Sequence, residues 1–163
     1  MNPAEVKPFN VRIRVPDRNV SQLYTASPAS DGLTDLAING TPVTPIIEHG
    51  YAVLSRPWKS GDKIEFVLPL QVQRVKASDR IAATRGRVAL RYGPLIYNLE
   101  SVDQDVECVL RPDAELSTHW NGDLLGGVLV IKGVSAGGDP LIAIPNYARL
   151  NRGGRSLVWV KDR

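Results

Sequence analysis

Cysteine is nearly absent from this chain of 163 residues, which contains only Cys108. A single thiol cannot close a disulfide within the chain, and it cannot build a zinc site from cysteines alone. We therefore expect neither a disulfide framework nor a cysteine-rich metal centre, and we expect no cofactor in this chain.

Long apolar runs are also missing. The longest unbroken ones are short, such as residues 128–131, whereas a helix needs about 20 apolar residues to cross a bilayer. We expect no membrane partner. The first residues, MNPAEVKPF, lack the charged and apolar regions of a signal peptide. Localisation is therefore left open, and an internal piece of a longer protein is one reading.

The charge has little excess of either sign, because 20 Lys and Arg stand against 17 Asp and Glu, for a formal net charge of +3. The basic residues are scattered along the chain one or two at a time, and no recognised nucleic-acid-binding module accompanies them. We expect no nucleic-acid partner.

Helical periodicity is lacking as well, and 14 glycines and 12 prolines interrupt the chain. What is present is the period-two alternation of a strand with one buried and one wet face. Val11, Ile13 and Val15 alternate with two arginines, and the same pattern returns from Ile64. Strands are predicted at 11–15, 34–38, 52–55, 64–70, 72–76, 87–92, 95–100, 106–110, 128–132, 141–144 and 156–161.

Turn signals connect these strands. Asn39-Gly40 favours a tight hairpin turn, residues 133–140 link two antiparallel strands, and residues 111–127 form a long polar loop. Many short strands with Gly and Pro turns are typical of an antiparallel sandwich. The prediction is an all-β fold, an antiparallel two-sheet β-sandwich with few or no helices, forming a single module over residues 1–163. The predicted core contains Ile13, Phe66, Leu68, Tyr97, Val130 and Trp159.

Several ordered stretches together carry a resemblance to a known family. They are GYAVLSRPWKSGDKIEFVLPLQVQRV at 50–75, GRVALRYGPLIYNLESVD at 86–103, LLGGVLVIKG at 124–133 and AIPNYARLNRGG at 143–154, followed by LVWV at 157–160. This series resembles the C-terminal β-sandwich region of glycoside hydrolase family 127, the β-L-arabinofuranosidase-like enzymes. RIRVP at 12–16 and AINGTPV at 37–43 also fit, so the resemblance covers nearly the whole chain.

The resemblance implies a large helical barrel ahead of this region in the parent protein. That barrel supplies a cysteine nucleophile, a catalytic glutamate and a cysteine-rich zinc site in the family. Cys108 lies in a different sequence setting, so the nucleophile role is not transferred to it. The helical catalytic barrel is thus the expected partner, and the zinc is expected to belong to the barrel.

Three alternating acids are the residues closest to a catalytic set. Asp103, Asp105 and Glu107 alternate along the chain, so they could share one strand face, where mutual repulsion would raise the pKa of a buried acid. The alternatives are a calcium site, for which three acids are too few ligands, and a solvated strand edge. We favour the solvated edge and expect no catalytic residue in this chain.

Aromatic side chains suggest sugar binding instead. Trp120, in the polar loop STHWNGD, is the best candidate for an exposed platform. Tyr147 lies in a second polar, aromatic loop that could face the barrel or its substrate, or be a plain surface turn. Its polar neighbours are Asn146, Arg149, Asn151 and Arg152.

The sequence therefore predicts a non-catalytic accessory β-sandwich of a family 127-like hydrolase, which supports the helical barrel. The alternative is an independent carbohydrate-binding module for plant-type arabinose-containing glycans, and a self-contained hydrolase is third.

Overall fold

The computed structural model describes residues 1–17, 21–30 and 32–162. Helix is limited in this part of the chain to two three-residue 3-10 turns, Ala82–Thr84 and Asn146–Ala148. Its fifteen strands are β1 Lys7–Arg14, β2 Tyr24–Ser27, β3 Thr34–Ile38, β4 Thr41–Pro42, β5 Ile46–Glu48, β6 Tyr51–Trp58, β7 Ile64–Val67, β8 Val72–Ala77, β9 Arg87–Tyr92, β10 Leu95–Glu100, β11 Ser117–Asn121, β12 Val128–Val134, β13 Pro140–Pro145, β14 Ser156–Leu157 and β15 Val160–Lys161.

Every ladder between the fifteen described strands is antiparallel. The predicted all-β, antiparallel, sandwich-like class with few helices is therefore confirmed. Neither of the two described 3-10 turns has the length or the apolar character needed to cross a bilayer.

The chain divides into two compact units, Met1–Val20 with Asp31–Pro69, and Ser21–Ser30 with Leu70–Arg163. The sequence pattern predicted one module over this whole range. The alternating strand pattern and the frequent turns are the same in both halves, so composition gives no sign of the division.

The first unit contains two three-stranded sheets, ordered β1-β6-β5 and β4-β3-β7. Leu36 and Ile38 of β3 pack with Leu54 and Trp58 of β6, so both sheets contribute to one core. Trp58 is completely buried, and its indole N–H donates to the carbonyl oxygen of Phe9 at 3.0 Å.

The Asn39-Gly40 hairpin is confirmed between β3 and β4. Both residues have positive φ, 51° and 76°, and Ile38 pairs with Thr41 directly across the turn. These are the backbone angles that a type I′ turn needs.

The second unit is built on one sheet with the order β11-β12-β13-β10-β9-β8-β2. The two C-terminal strands also join it, because β14 pairs with β10 and β15 pairs with β9. Tyr97 and Leu99 of β10 lie in its main core, and Val130 of β12 lies in a second, smaller cluster. The predicted burial of Tyr97 and Val130 is therefore confirmed.

The predicted burial of Phe66 and Leu68 is wrong, because both are exposed, Phe66 by 40%. The pairing of β3 with β7 shifts between Thr34 and Ala37, opposite Phe66. Such a bulge places two residues of one strand against one of the other. Leu36 takes the core position, so the alternation that begins at Ile64 does not carry Phe66 inward.

Two further core predictions are met only in part. Ile13 is half-buried at the edge of the first unit's core. Trp159 is half-buried and stacks on Tyr24 with ring centroids 6.2 Å apart, while its neighbour Val160 occupies the core. The chain bends between β14 and β15, which breaks the single strand predicted at 156–161.

The strand predicted at 106–110 is also absent from the described structure. Asp105 forms a turn there instead, because its carboxylate accepts the backbone N–H of Glu107 at 2.9 Å and its carbonyl accepts that of Cys108 at 3.2 Å. Aspartate commonly stabilises turns in this way.

We predict that Trp58→Ala destabilises the protein by about 3–5 kcal/mol, since it empties a fully buried aromatic position and removes a hydrogen bond. Phe66→Ala should cost less, about 1–2 kcal/mol, because Phe66 is 40% exposed and lies outside the core cluster. Urea denaturation measures both, and equal losses for the two variants would contradict the observed register of β7.

Candidate functional site

The candidate residues lie in two separate places. Five of them, Asn146, Tyr147, Arg149, Asn151 and Arg152, follow β13 in a segment that we call the 146–152 loop. Trp120 lies on β11. Among the residues that the structure describes, no hydrogen bond, ion pair or ring contact joins Trp120 to this loop.

Trp120 was predicted to lie in a polar loop, and this is wrong, because it lies on an edge strand. The segment Ser117–Asn121 pairs with β12 over five residues, and Trp120 stands opposite Leu129. The segment reads STHWN, which has no apolar alternation that could reveal a strand. The expected exposure of the indole is nevertheless observed, at 62%.

The 146–152 loop begins with a single 3-10 turn. Pro145 ends β13, and the backbone N–H of Arg149 donates to the carbonyl of Asn146 at 3.3 Å. Ala148 is buried against the smaller core cluster around Val130. The side chain of Asn151 then donates to the carbonyl of Ala148 at 3.0 Å and closes the turn.

A buried ion pair fixes the end of this loop. Glu100, the last residue of β10, has a fully buried side chain, and Nη2 of Arg152 lies 3.0 Å from its Oε2. The other oxygen of Glu100 accepts the backbone N–H of Leu150 at 2.5 Å. A buried carboxylate needs such partners, because leaving water is costly for a charge.

Asp103 completes the cluster. It accepts hydrogen bonds from both terminal nitrogens of Arg152, one of them at 2.8 Å. These bonds, and then those to Glu100, raise the pKa of Arg152 above its ordinary value although burial opposes the change. Sequence reasoning missed Glu100, because its partner is 52 positions away and no local motif marks the pair.

The tip of the loop projects into solvent. Tyr147 is 66% exposed and Leu150 is 43% exposed, and Leu150 has a positive φ of 61°. Arg149 is exposed, and it has no ion-pair partner among the described residues. The buried Glu100 therefore holds a short surface with two apolar side chains and a cation.

Asp103, Asp105 and Glu107, which the sequence predicted on one strand face, do not provide a catalytic pair of carboxyl groups. Asp103 is bound by Arg152, and Asp105 stabilises a turn. Three cations surround Glu107, namely Lys161 at 3.2 Å, Arg155 at 3.5 Å and Arg87 at 3.9 Å. Each carboxylate thus already has a structural role.

Neither a reactive thiol nor a metal centre stands out. Burial, and then the nearby Asp105, raise the pKa of the Cys108 thiol, which disfavours the nucleophilic thiolate. Across residues 1–17, 21–30 and 32–162, no three His, Cys, Asp or Glu side chains are grouped to hold a metal ion. The expectation that zinc belongs to a different part of the parent protein stays a prediction.

Tyr97 is a buried polar residue, and besides this burial Tyr147 of the 146–152 loop contributes to its raised pKa. Its hydroxyl has no hydrogen-bond partner among the described residues. Burial, and then Tyr147 and Tyr92, raise the pKa of Tyr97 to about 12. The folded protein therefore favours the neutral phenol.

We predict that Arg152→Ala destabilises the protein by about 3–5 kcal/mol, because it leaves the carboxylate of Glu100 buried without a cation. Adding Glu100→Leu to this variant should recover part of the loss. Arg149→Ala is the matched control, expected within about 0.5 kcal/mol of the parent in urea denaturation. A loss that the second substitution deepens would contradict the role assigned to the ion pair.

We predict that the free energy of unfolding falls as the pH rises from 10 to 12. The fall should be about 2 kcal/mol larger for the parent protein than for the Tyr97→Phe variant. The unfolded phenol ionises near pH 10 and the folded one near 12, so rising pH favours unfolding across this window. Urea denaturation at stepped pH measures the difference, and parallel curves for the two proteins would argue against it. Lysine deprotonation is common to both and cancels.

Two family models together match most of the chain. Residues 1–70 match the model for the β-L-arabinofuranosidase GH127 middle domain, and residues 72–161 match the model for the glycoside hydrolase family 127 C-terminal domain.

Individual relatives agree with these matches. A non-reducing end β-L-arabinofuranosidase of Bifidobacterium longum subsp. longum is 35% identical over 107 residues, covering 61% of this chain and 16% of the relative. The crystal structure of a GH127 β-L-arabinofuranosidase from Geobacillus stearothermophilus T6 is 33% identical, with a TM-score of 0.83 over 99% of this chain and 28% of that one. A solved GH127 β-arabinofuranosidase is 25% identical, with a TM-score of 0.87 over 98% of this chain and 28% of that one.

This chain thus spans less than a third of the length of each of these relatives. Its strands, their order and both of its matched segments agree with one family. The chain belongs to glycoside hydrolase family 127, with which it shares the middle and C-terminal domains.

Proposed function

We propose that this chain is a non-catalytic accessory part of a β-L-arabinofuranosidase-like glycoside hydrolase. Its partner is the helical catalytic barrel that the resemblance to the family implies, and its task is to support that barrel. The observation that carries the proposal is the tip of the 146–152 loop, which is held in a fixed shape and leaves Tyr147 66% and Leu150 43% exposed.

The matched domains support a role outside the catalytic part. They are the middle and C-terminal domains of the family, and the solved relatives have more than two thirds of their length in addition to them. The nucleophile and acid of such enzymes would then belong to the additional length.

The chemistry of this chain agrees with that division. Hydrolysis of a glycoside with retention needs a nucleophile and an acid a few ångströms apart, facing one cleft. Asp103 and Glu107 are instead neutralised by arginine and lysine, and the pKa of Cys108 is raised. We infer that the isolated chain does not cleave arabinofuranosides.

The loop tip has the chemistry of a docking surface. Tyr147 and Leu150 offer apolar area, and Arg149 offers a cation without a counterion among the described residues. A surface of the barrel with an apolar depression and a carboxylate would complement it. Ordering by Glu100 and Arg152 reduces the entropy lost on association.

The alternative is an independent carbohydrate-binding module. The observation that favours it is Trp120, whose indole is 62% exposed. The two roles are compatible, because no hydrogen bond, ion pair or ring contact within residues 1–17, 21–30 and 32–162 joins Trp120 to the 146–152 loop.

A graft tests the accessory role. The corresponding region of the Geobacillus stearothermophilus enzyme is replaced by this chain, and the chimera is assayed on an aryl β-L-arabinofuranoside. We expect hydrolysis by the chimera and none by the isolated chain. Replacing both Tyr147 and Leu150 by Ser should lower the melting temperature of the chimera by several degrees, because apolar contacts with the barrel are lost.

The same double substitution should lower the melting temperature of the isolated chain by less than that of the chimera, by about 1–2 °C, since Tyr147 is 66% and Leu150 43% exposed there. Val134→Ser is the matched control, because Val134 is an exposed apolar residue of the same unit outside the loop. Hydrolysis by the isolated chain, or equal losses in the chimera and the isolated chain, would disprove the proposal.

A further inference from the structure

Trp120 differs from the other two tryptophans of the chain in what covers its ring. Trp58 is fully buried, and Trp159 is half-buried against Tyr24. Trp120 is 62% exposed on the edge strand β11, which pairs only with β12 among the described strands. An exposed indole contributes little hydrophobic stabilisation to the fold, and exposed apolar surface of this kind commonly marks a binding site.

A glycine turn supports the indole from one side. A Cβ atom added to Gly127 would lie 3.0 Å from Cη2 of Trp120 and only 2.3 Å from its Cζ2, so close that the indole would have to move. Gly127 has a φ of 115°. The ring therefore rests on bare backbone, and only glycine at this position allows that contact.

The support itself is anchored. The backbone N–H of Gly127 donates to the carbonyl of Leu124 at 2.8 Å. Leu124 and Val128, on either side of this turn, are both buried in the smaller core cluster. The indole is thus held on a fixed base, and Trp120 remains 62% exposed.

Polar residues precede and follow Trp120 in the chain. Thr118 stands two residues before Trp120 on β11 and so lies on the same face. After the strand, the carboxylate of Asp123 is exposed, and its backbone N–H donates to the side-chain oxygen of Asn121 at 3.2 Å.

We propose that Trp120 is a stacking platform for the ring of a neutral sugar, an arabinofuranosyl unit of a glycan. The C–H groups on one side of a sugar ring carry partial positive charge, and they meet the negative face of the indole. Hydroxyl groups at the rim of the sugar then pair with polar side chains on the same face of β11, such as that of Thr118. The choice of arabinose rests on the proposed function, whereas the platform rests on geometry alone.

One stacked ring without an enclosing cleft gives weak binding. We expect dissociation constants on the order of 1 mM for short arabinofuranosyl oligosaccharides. Longer oligosaccharides should bind with similar strength per chain end, because the described platform holds one ring.

The test is a titration of the 163-residue chain with arabinofuranosyl oligosaccharides, followed by tryptophan fluorescence. Saturable binding is expected, and Trp120→Ala should abolish it. Trp159→Phe should leave both the signal and the affinity in place. Cello-oligosaccharides are the comparison ligand and should bind at least about tenfold more weakly, a free-energy difference of about 1.4 kcal/mol.

The glycine support has its own matched pair of variants. Gly127→Ala should weaken binding at least about tenfold while Trp120 is still present, because the added methyl group displaces the indole. Gly126→Ala imposes a similar backbone demand, with a φ of 79°, but its methyl group enters open space. It should therefore retain binding. Circular dichroism of both variants establishes that they fold.

Several results would overturn the platform. These are an absence of saturable binding, unchanged binding by Trp120→Ala, or equal losses in the two glycine variants. Self-association that depends on Trp120, without sugar binding, would assign the ring to a protein contact instead. Equal binding of cello-oligosaccharides would overturn the assignment to arabinose. None of these results bears on hydrolysis, which tests the proposed function separately.

Discussion

The buried carboxylate of Glu100 is the constraint on which the surface of the second unit depends. It stands at the end of β10, within the sheet, and has no access to water. A charge in that position must be matched by a cation and by hydrogen-bond donors. Arg152 and the backbone N–H of Leu150 meet this need, and in doing so they bring the 146–152 loop back across the end of the strand. The position of Tyr147 is thus set by a group to which it is not bonded.

A second constraint acts through space rather than charge. The turn before β12 must leave a flat patch of backbone at Gly127, or Trp120 could not lie where it does. In both cases the position of an exposed aromatic side chain depends on a nearby fixed group. For Tyr147 this group is the buried Glu100, and for Trp120 it is the backbone at Gly127. This is the arrangement expected of side chains that meet a partner, because a prearranged group loses less conformational entropy on contact.

Local signals in the sequence predicted the local features well. Strands β9 and β10 have the predicted bounds, and Asn39-Gly40 forms the predicted turn. The incorrect predictions arose at residues whose local sequence pattern is compatible with two different structures. Phe66 follows a regular alternation, but a bulge in the neighbouring β3 reverses its exposure. Asp105 fits an alternating strand of acids, but its side chain stabilises a turn.

The candidate site was predictable to a similar degree. The polar, aromatic composition of residues 146–152 indicated the exposed loop, and a tryptophan among polar residues indicated the exposed ring. Glu100 could not be found in this way, because nothing near it in the sequence distinguishes a buried glutamate from a solvated one. Edge strand β11 was missed because a strand with little burial has little apolar pattern.

The division of the chain into units has a consequence for how it can be cut. Residues 21–30 belong to the second unit although the first unit includes residues on both sides of them, and β2 from this stretch pairs with β8 over four residues. The boundary near residue 71, where one family model gives way to the other, is therefore not a seam. A fragment starting there would lack β2, so β8 would become an edge strand with unpaired N–H and C=O groups. Such an edge promotes sheet pairing between molecules and aggregation. Because the two units alternate along the sequence, no single division of the chain yields either unit complete.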